Sequence, residues 1–266
     1  MKATNTLSNV KDMLKSINLS HTAENLEEVI KRSESDELSY ESFLKAVLES
    51  ELKNREQNRI EKWTKQAAFS EHVTLEEFDV SQQTTLNQKQ INQLKELTWV
   101  EQGYNLILLG PPGVGKTHIG EGLGIQAIKN GYKAQFIQMN DLVHILKTQE
   151  ILRSSRTKIK RIIASDLFII DDLMFMAMEK HEANLFFQLI NKLYGQTSII
   201  ITSNKGPEDW GELLGDPAIT TAILDRLIHK CEIINFFDDD SHRLKHRKTI
   251  FDGESENTLK EPVLAQ

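Results

Sequence analysis

A single cysteine, Cys231, occurs in 266 residues, so neither a disulfide framework nor a cysteine-rich zinc module holds this chain together. Glycine and proline are missing altogether from residues 1–102, which favours helices over tight turns there. Long apolar runs are missing too. Runs such as Leu106–Leu109, Leu167–Ile170 and Ile199–Ile201 fall far short of the ~20 residues that cross a bilayer. The N-terminal stretch MKATNTLSNVKDMLKS has no apolar signal core. These absences predict a soluble, cytoplasmic protein with no membrane partner. With 39% hydrophobic and 27% charged residues, the composition is that of a globular chain and excludes extensive disorder. The formal charge of −7 argues, as a total, against a nucleic-acid partner.

The total hides its distribution. Residues 147–165 carry six basic side chains and one acidic, whereas residues 166–240 carry five basic and fourteen acidic. Such asymmetry says more about partners than net charge does. The basic stretch, KTQEILRSSRTKIKRIIAS, keeps Ile151, Leu152, Ile159, Ile162 and Ile163 among its cations. A helix or helix pair with a solvated basic face is one reading, and a nucleic-acid contact is the other.

Residues 1 to about 68 read as helical. In SYESFLKAVLESELKNRE, Phe43, Leu44, Val47, Leu48 and Leu52 recur at three- and four-residue spacing, with Ser39 or Asp36 as the N-cap. Residues 70–86 break that period and read as a connector, followed by a short helix over NQKQINQLKEL. From Gly103 the pattern changes to short apolar strands alternating with helices. Strands are predicted at Asn105–Leu109, Ala134–Met139, Leu167–Ile170, Ser198–Thr202 and Cys231–Phe236, and helices over 116–129, 141–163, 179–194 and 217–229. Several strands are apolar throughout, as expected where helices cover both faces of a parallel sheet. The predicted organisation is a helical domain (1–70), a connector with a short helix (71–102), an α/β domain (103–250) and a polar tail (251–266).

The strongest motif is GPPGVGKT, which follows the strand NLILL and opens an amphipathic helix. It matches the phosphate-loop pattern with both flanks correct. Its glycines let successive N–H groups curve around phosphate oxygens, and the helix N-terminus adds partial positive charge. Gly110, Pro111, Pro112, Gly113, Val114, Gly115, Lys116, Thr117 and His118 are therefore the expected nucleotide contacts. Lys116 reaches toward the β- and γ-phosphates, and the Thr117 hydroxyl offers a ligand to magnesium.

A nucleoside triphosphate with magnesium also needs a carboxylate on a neighbouring strand. LFIIDD ends in Asp171, expected to hold the metal, and Asp172, expected to orient the attacking water. A pair of acids capping the next helix is the alternative. The strand SIIIT ends in Ser203 and Asn204, whose amide could position water against the γ-phosphate, although Ser and Asn also end strands in ordinary turns. Arg226, in PAITTAILDRLIHK, is either a snorkelling surface residue or an arginine finger that reaches a neighbouring subunit's nucleotide.

Together, LSYESFLKAVLESELKNRE, GPPGVGKT, FIIDD, SIIITSN and GDPAITTAILDRLIHKCEII resemble the AAA+ ATPases. More narrowly, they resemble the IstB-like transposition helper ATPases of bacterial insertion sequences. The resemblance covers most of the chain and implies an ASCE P-loop fold, with a five-stranded parallel sheet in the order 5-1-4-3-2 and a small N-terminal helical domain. It implies ATP and Mg2+ as cofactors, Asn204 as the first sensor, and Arg226 as a finger acting across an ATP-dependent homo-oligomer. It also implies assembly on duplex DNA beside a cognate transposase, which makes Arg153, Arg156, Lys158, Lys160 and Arg161 candidate DNA contacts. A replicative helicase loader shares this core and is the alternative; a small-molecule P-loop kinase is another, although no basic lid is evident. Two features depart from the family. Asp172 stands where many AAA+ proteins have Glu, and Met174, Met176 and Met178 follow where a glycine is common. Arg243, in SHRLKHRK, fits either a second sensor or a phosphate-contacting tail.

Overall fold

The computed structural model describes residues 2–70, 74–75, 77–78, 83, 85–173, 178–213 and 215–237. Met174, Met176, Arg243 and the tail 251–266 lie outside the described residues. The chain divides into two compact units after Gln66. No helix among the described residues is long and apolar enough to cross a membrane.

The first unit is built from α1 (Lys2–Ser16), α2 (Ser20–Ser35) and α3 (Tyr40–Ala67). Ser39 caps α3, its hydroxyl accepting from the Ser42 N–H at 3.2 Å. Asp36 instead closes the C-terminus of α2. Buried Glu51, on α3, accepts from the Thr22 N–H and hydroxyl at 3.1 and 2.9 Å, and so caps the start of α2 from another helix. Arg55 donates to Glu51 at 3.0 Å and to the Asn18 carbonyl at 2.7 Å. Burial alone would raise the Glu51 pKa, but the bonds from Thr22 and Arg55 outweigh it and leave it lowered. The apolar stripe expected on α3 is only partly used. Val47 is buried, while Leu44, Leu48 and Leu52 stay exposed. A hydrogen-bonded carboxylate, Glu51, takes up part of the inward face of this long helix.

In the second unit, α4 (Gln88–Lys95) and α5 (Thr98–Glu101) precede the sheet. Asn87 and Gln90 form a capping box that starts α4. The strands are β1 (Asn105–Leu109), β2 (Ala134–Gln138), β3 (Leu167–Asp171), β4 (Ser198–Ser203) and β5 (Cys231–Asn235). All pair in parallel, in the order β2-β3-β4-β1-β5, which is the expected order read from the other edge. Every residue of β1, β3 and β4 is buried, which explains their unbroken apolar character. The edge strand β5 has two consecutive exposed positions, Glu232 and Ile233, and its sequence is correspondingly mixed.

Helix α6 (Lys116–Lys129) packs against β2, β3 and β4, with Gly120 set against Ile169 and Ile200. A Cβ at Gly124 would come within 2.7 Å of both Ile169 and Phe69, so the close helix–sheet approach requires glycine there. The main core contains Phe168, Ile170 and Ile201 of the sheet, together with residues of α7 (Met139–Thr148), α8 (Arg153–Ile163), α9 (Lys180–Leu193) and α11 (Pro217–Ile228). The single helix expected over 141–163 is thus two. Leu152 adopts extended backbone, and Gln149 to Leu152 turn the chain so that Ile159 and Ile162 return to the core. A turn of 3-10 helix at Pro207–Asp209 and the short α10 (Trp210–Leu213) bury Trp210, and the sequence pattern did not announce them.

Asn105 locks the start of β1. Its amide donates to the Leu227 carbonyl at 2.8 Å and accepts from the Ile199 N–H at 2.9 Å, all in the interior. Asn105→Ala leaves two buried backbone groups without partners and should cost about 2–4 kcal/mol. A fall in the urea midpoint at unchanged slope would show this; an unchanged midpoint would refute it.

Candidate functional site

In a parallel sheet all strands end at the same edge, and here that edge gathers the polar residues. The phosphate loop leaves β1, Asp171 ends β3 and Ser203 ends β4. The Gly110 N–H donates to the Ser203 carbonyl at 3.1 Å, so the loop leaves β1 still tied to its neighbour. Gly113 and Gly115 have φ of 88° and 94°, which lie in the left-handed region that glycine adopts at no steric cost. A Cβ at Gly115 would also lie 2.8 Å from the Phe78 ring. Lys116 is buried, and its ammonium donates to the carbonyls of Gly110 and Pro111 at 2.9 Å each.

The side chains of Thr117 and Asp171 meet. The Thr117 hydroxyl donates to Oδ1 of Asp171 at 2.9 Å, and the Thr202 hydroxyl donates to the same oxygen at 2.7 Å. Thr202 in turn accepts from the Asp172 N–H at 2.9 Å. Asp171 is buried and Asp172 is exposed, with a left-handed φ of 53°. Two adjacent acids therefore have different surroundings. Thr202 was not singled out from the sequence; a hydroxyl in the last turn of an apolar strand was the available signal.

Burial pushes the Asp171 carboxyl above its ordinary range. The hydroxyl bonds from Thr202 and Thr117 pull against that rise, and the nearby carboxylates Asp172 and Glu121 reinforce it. Buried Glu121 accepts from the Ser70 N–H at 2.7 Å and from its hydroxyl at 2.5 Å. A hydroxyl beside hard carboxylate oxygen matches the donors that magnesium prefers. A row of N–H groups at a helix N-terminus matches phosphate oxygens. Residues and cofactors fit.

The other predicted residues are more scattered. His118 turns toward the connector: its Nε2 lies 3.0 Å from the Thr74 carbonyl, and its ring packs 5.6 Å from Phe78. Asn204 is exposed, one residue past β4. Arg226 is not beside the phosphate loop of its own chain. Its guanidinium donates to Asn191 at 3.0 Å and to the Ala222 carbonyl at 2.8 Å, and lies 4.9 Å from the Phe187 ring centroid. It lines a cavity of about 230 Å³ with Asn105, Thr197 and Ile199, at the opposite end of the strands. The five cations of α8 are all exposed, while Ser155, Ile159 and Ile162 face inward. Lys147 is neutralised by Glu182 at 2.7 Å and does not extend that face.

The sheet order, the phosphate loop and the carboxylate at the end of β3 define a P-loop nucleotide-binding domain of the AAA+ type. The chain belongs to the IstB-like ATP binding protein family, whose profile matches residues 12–250. It is 36% identical over 236 residues to a protein of Pseudomonas aeruginosa described as the ATP-binding protein of insertion sequence IS21, covering 89% of each chain. An IS21-like ATP-binding protein of Bacteroides fragilis is also 36% identical, with 90% of each chain covered. Among solved structures, DnaA from Aquifex aeolicus bound to AMPPCP superposes with a TM-score of 0.53 at 21% identity. That match covers 67% of this chain and 54% of DnaA, and is a likeness of fold.

A carboxyl whose pKa is raised by folding keeps its proton in the native state over a pH range where the unfolded chain has lost it. Stability therefore falls as pH rises through that window and stays reduced above it. Without nucleotide or magnesium, Asp171→Asn should melt at a higher temperature than the parent at pH 7 and show no gain below the ordinary carboxylate range. Melting curves across that range check it; a lower melting temperature at pH 7 would refute the burial effect.

Proposed function

We propose that this chain is a cytoplasmic, ATP-controlled assembly factor that binds duplex DNA as a homo-oligomer and assists a cognate transposase in moving an insertion sequence. One observation carries this reading. The phosphate loop and Asp171 lie at one end of the sheet and Arg226 at the other, so no single protomer can bring them together. Head-to-tail neighbours can, with ATP at the junction. The insertion-sequence relatives support the transposition setting, and the exposed basic face of α8 supports a polyanionic partner.

In this reading the loop N–H groups and Lys116 hold the β- and γ-phosphates. Thr117 and Asp171 hold magnesium, with Thr202 keeping the Asp171 carboxylate aimed. Magnesium, when bound, neutralises charge on the phosphates being separated. Exposed Asp172 orients water, and Asn204 steadies it against the γ-phosphate. The arginine of the next protomer, Arg226, stabilises charge on the transferring group, held ready by Asn191 and Phe187. ATP thereby joins subunits, and hydrolysis releases or remodels them.

Mass measurement in solution tests the whole reading. The protein should grow into a larger species with ATP, magnesium and duplex DNA together; a size independent of all three would overturn it. Lys116→Ala should weaken ATP binding about 100-fold, the scale of two lost charge-assisted hydrogen bonds. Unchanged affinity would remove the phosphate loop from the site. Arg226→Ala should bind ATP normally while hydrolysis falls about 1,000-fold, and a parental rate would end the finger assignment.

A further inference from the structure

The turn between α7 and α8 is held far more firmly than its exposure suggests. The Ile151 and Leu152 N–H groups both donate to the Thr148 carbonyl, at 3.0 and 2.8 Å. The Arg156 guanidinium donates to the Gln149 carbonyl at 3.2 Å and the Glu150 carbonyl at 2.9 Å. The Gln149 amide donates to the Leu146 carbonyl at 3.0 Å, and the Thr148 and Ser155 hydroxyls meet at 2.7 Å across its base. Below it, Ile159 and Ile162 anchor α8 in the core.

At the tip of this fixed turn Ile151 is 82% exposed, the most exposed large apolar side chain described in the second unit, and Leu152 beside it is 43% exposed. A flexible loop would fold such a side chain back onto the protein. This one is held out by its own hydrogen bonds. The segment that carries it, residues 147–165, has six cations against one carboxylate, Glu150, and the five cations of α8 are exposed. A basic face alone needs only phosphates as partner, and an apolar point alone needs only a greasy pocket. The two together fit a partner with an anionic skin and an apolar interior opened by a wedge, which is stacked base pairs between phosphate backbones.

We propose that Ile151, backed by Leu152, is a wedge that enters between neighbouring base pairs of duplex DNA and partly unstacks them, while the α8 cations hold the flanking phosphates. The wedge rests on the DNA-binding reading above and goes beyond it. Phosphate contact alone would leave the base stack intact; the wedge makes each bound subunit a point of unstacking.

The test uses the full chain with ATP, magnesium and a duplex carrying 2-aminopurine at TA steps, which unstack most easily. Binding of the parent should raise 2-aminopurine emission and shorten the end-to-end distance of a doubly labelled duplex. A duplex with one central mismatch, already partly unstacked, should bind about five- to tenfold more tightly than its matched form. Ile151→Ser should lose the emission rise, the shortening and the mismatch preference, yet keep the salt dependence of binding, because the phosphate contacts remain. Ile151→Leu should restore all three. Replacing Arg153, Lys158, Lys160 and Arg161 by Gln should do the reverse and flatten the salt dependence. Equal emission from the parent and Ile151→Ser, with both bound, would overturn the wedge alone. So would an Ile151→Ser protein that, with ATP, magnesium and saturating duplex, forms a smaller species than the parent, since the tip would then be a subunit contact. A parent that fails to bind duplex at all would overturn the DNA-binding reading and the wedge with it.

Discussion

One carboxylate oxygen, Oδ1 of Asp171, joins the parts of the candidate site. It accepts from Thr117 at the start of α6 and from Thr202 near the end of β4, while Asp171 itself ends β3. Three elements that share no sequence neighbourhood are thereby held in one register. The cost is a buried negative charge, which the protein's own groups offset only partly: the carboxyl is still pushed above its ordinary range. A cation drawn to this oxygen relieves a penalty already present in the fold.

The parallel sheet explains why such a site can exist here. Because β1, β3 and β4 run in the same direction, the apolar runs that build the core all end together, and the first polar residue of each is delivered to one edge. The same rule separates the two halves of the proposed chemistry. α11 returns the chain to the start of β5, so Arg226 is left near the beginnings of β1 and β4. Asn191 and Phe187 hold it there, half-buried, at the end of the strands away from the phosphate loop. The acidic total of the chain has a comparable geography. The carboxylates at the end of β3 and the cations of α8 belong to different elements, and the sum of −7 describes neither.

Local pattern carried a great deal. Five strands fell within one residue of their predicted starts and ends, since a fully apolar run bounded by polar residues has few other uses in an α/β chain. GPPGVGKT identified its loop because its glycines satisfy a backbone requirement that is itself local, seen in the left-handed φ of Gly113 and Gly115. Where the reading failed, the cause was distance along the chain. The α3 stripe promised burial for Leu44, Leu48 and Leu52, but burial depends on what comes to cover a face. The break between α7 and α8 lies in a stretch whose apolar residues still fit a helical period, and only the return of Ile159 and Ile162 to the core reveals the turn.

The sequence by itself determined the class of fold, the phosphate loop, the carboxylate that faces it and the basic strip, because each is written in residues close together. Tertiary structure alone decided that Thr202 aims Asp171, that His118 faces Thr74 and Phe78 in the connector, and that Arg226 sits at the far end of the strands. It alone decided that Ile151 stands out from a turn locked by Arg156. These are contacts between residues 6 to 44 positions apart, or consequences of strand order. No periodicity or motif encodes a pairing that is settled only when the sheet closes and the buried polar groups must find partners.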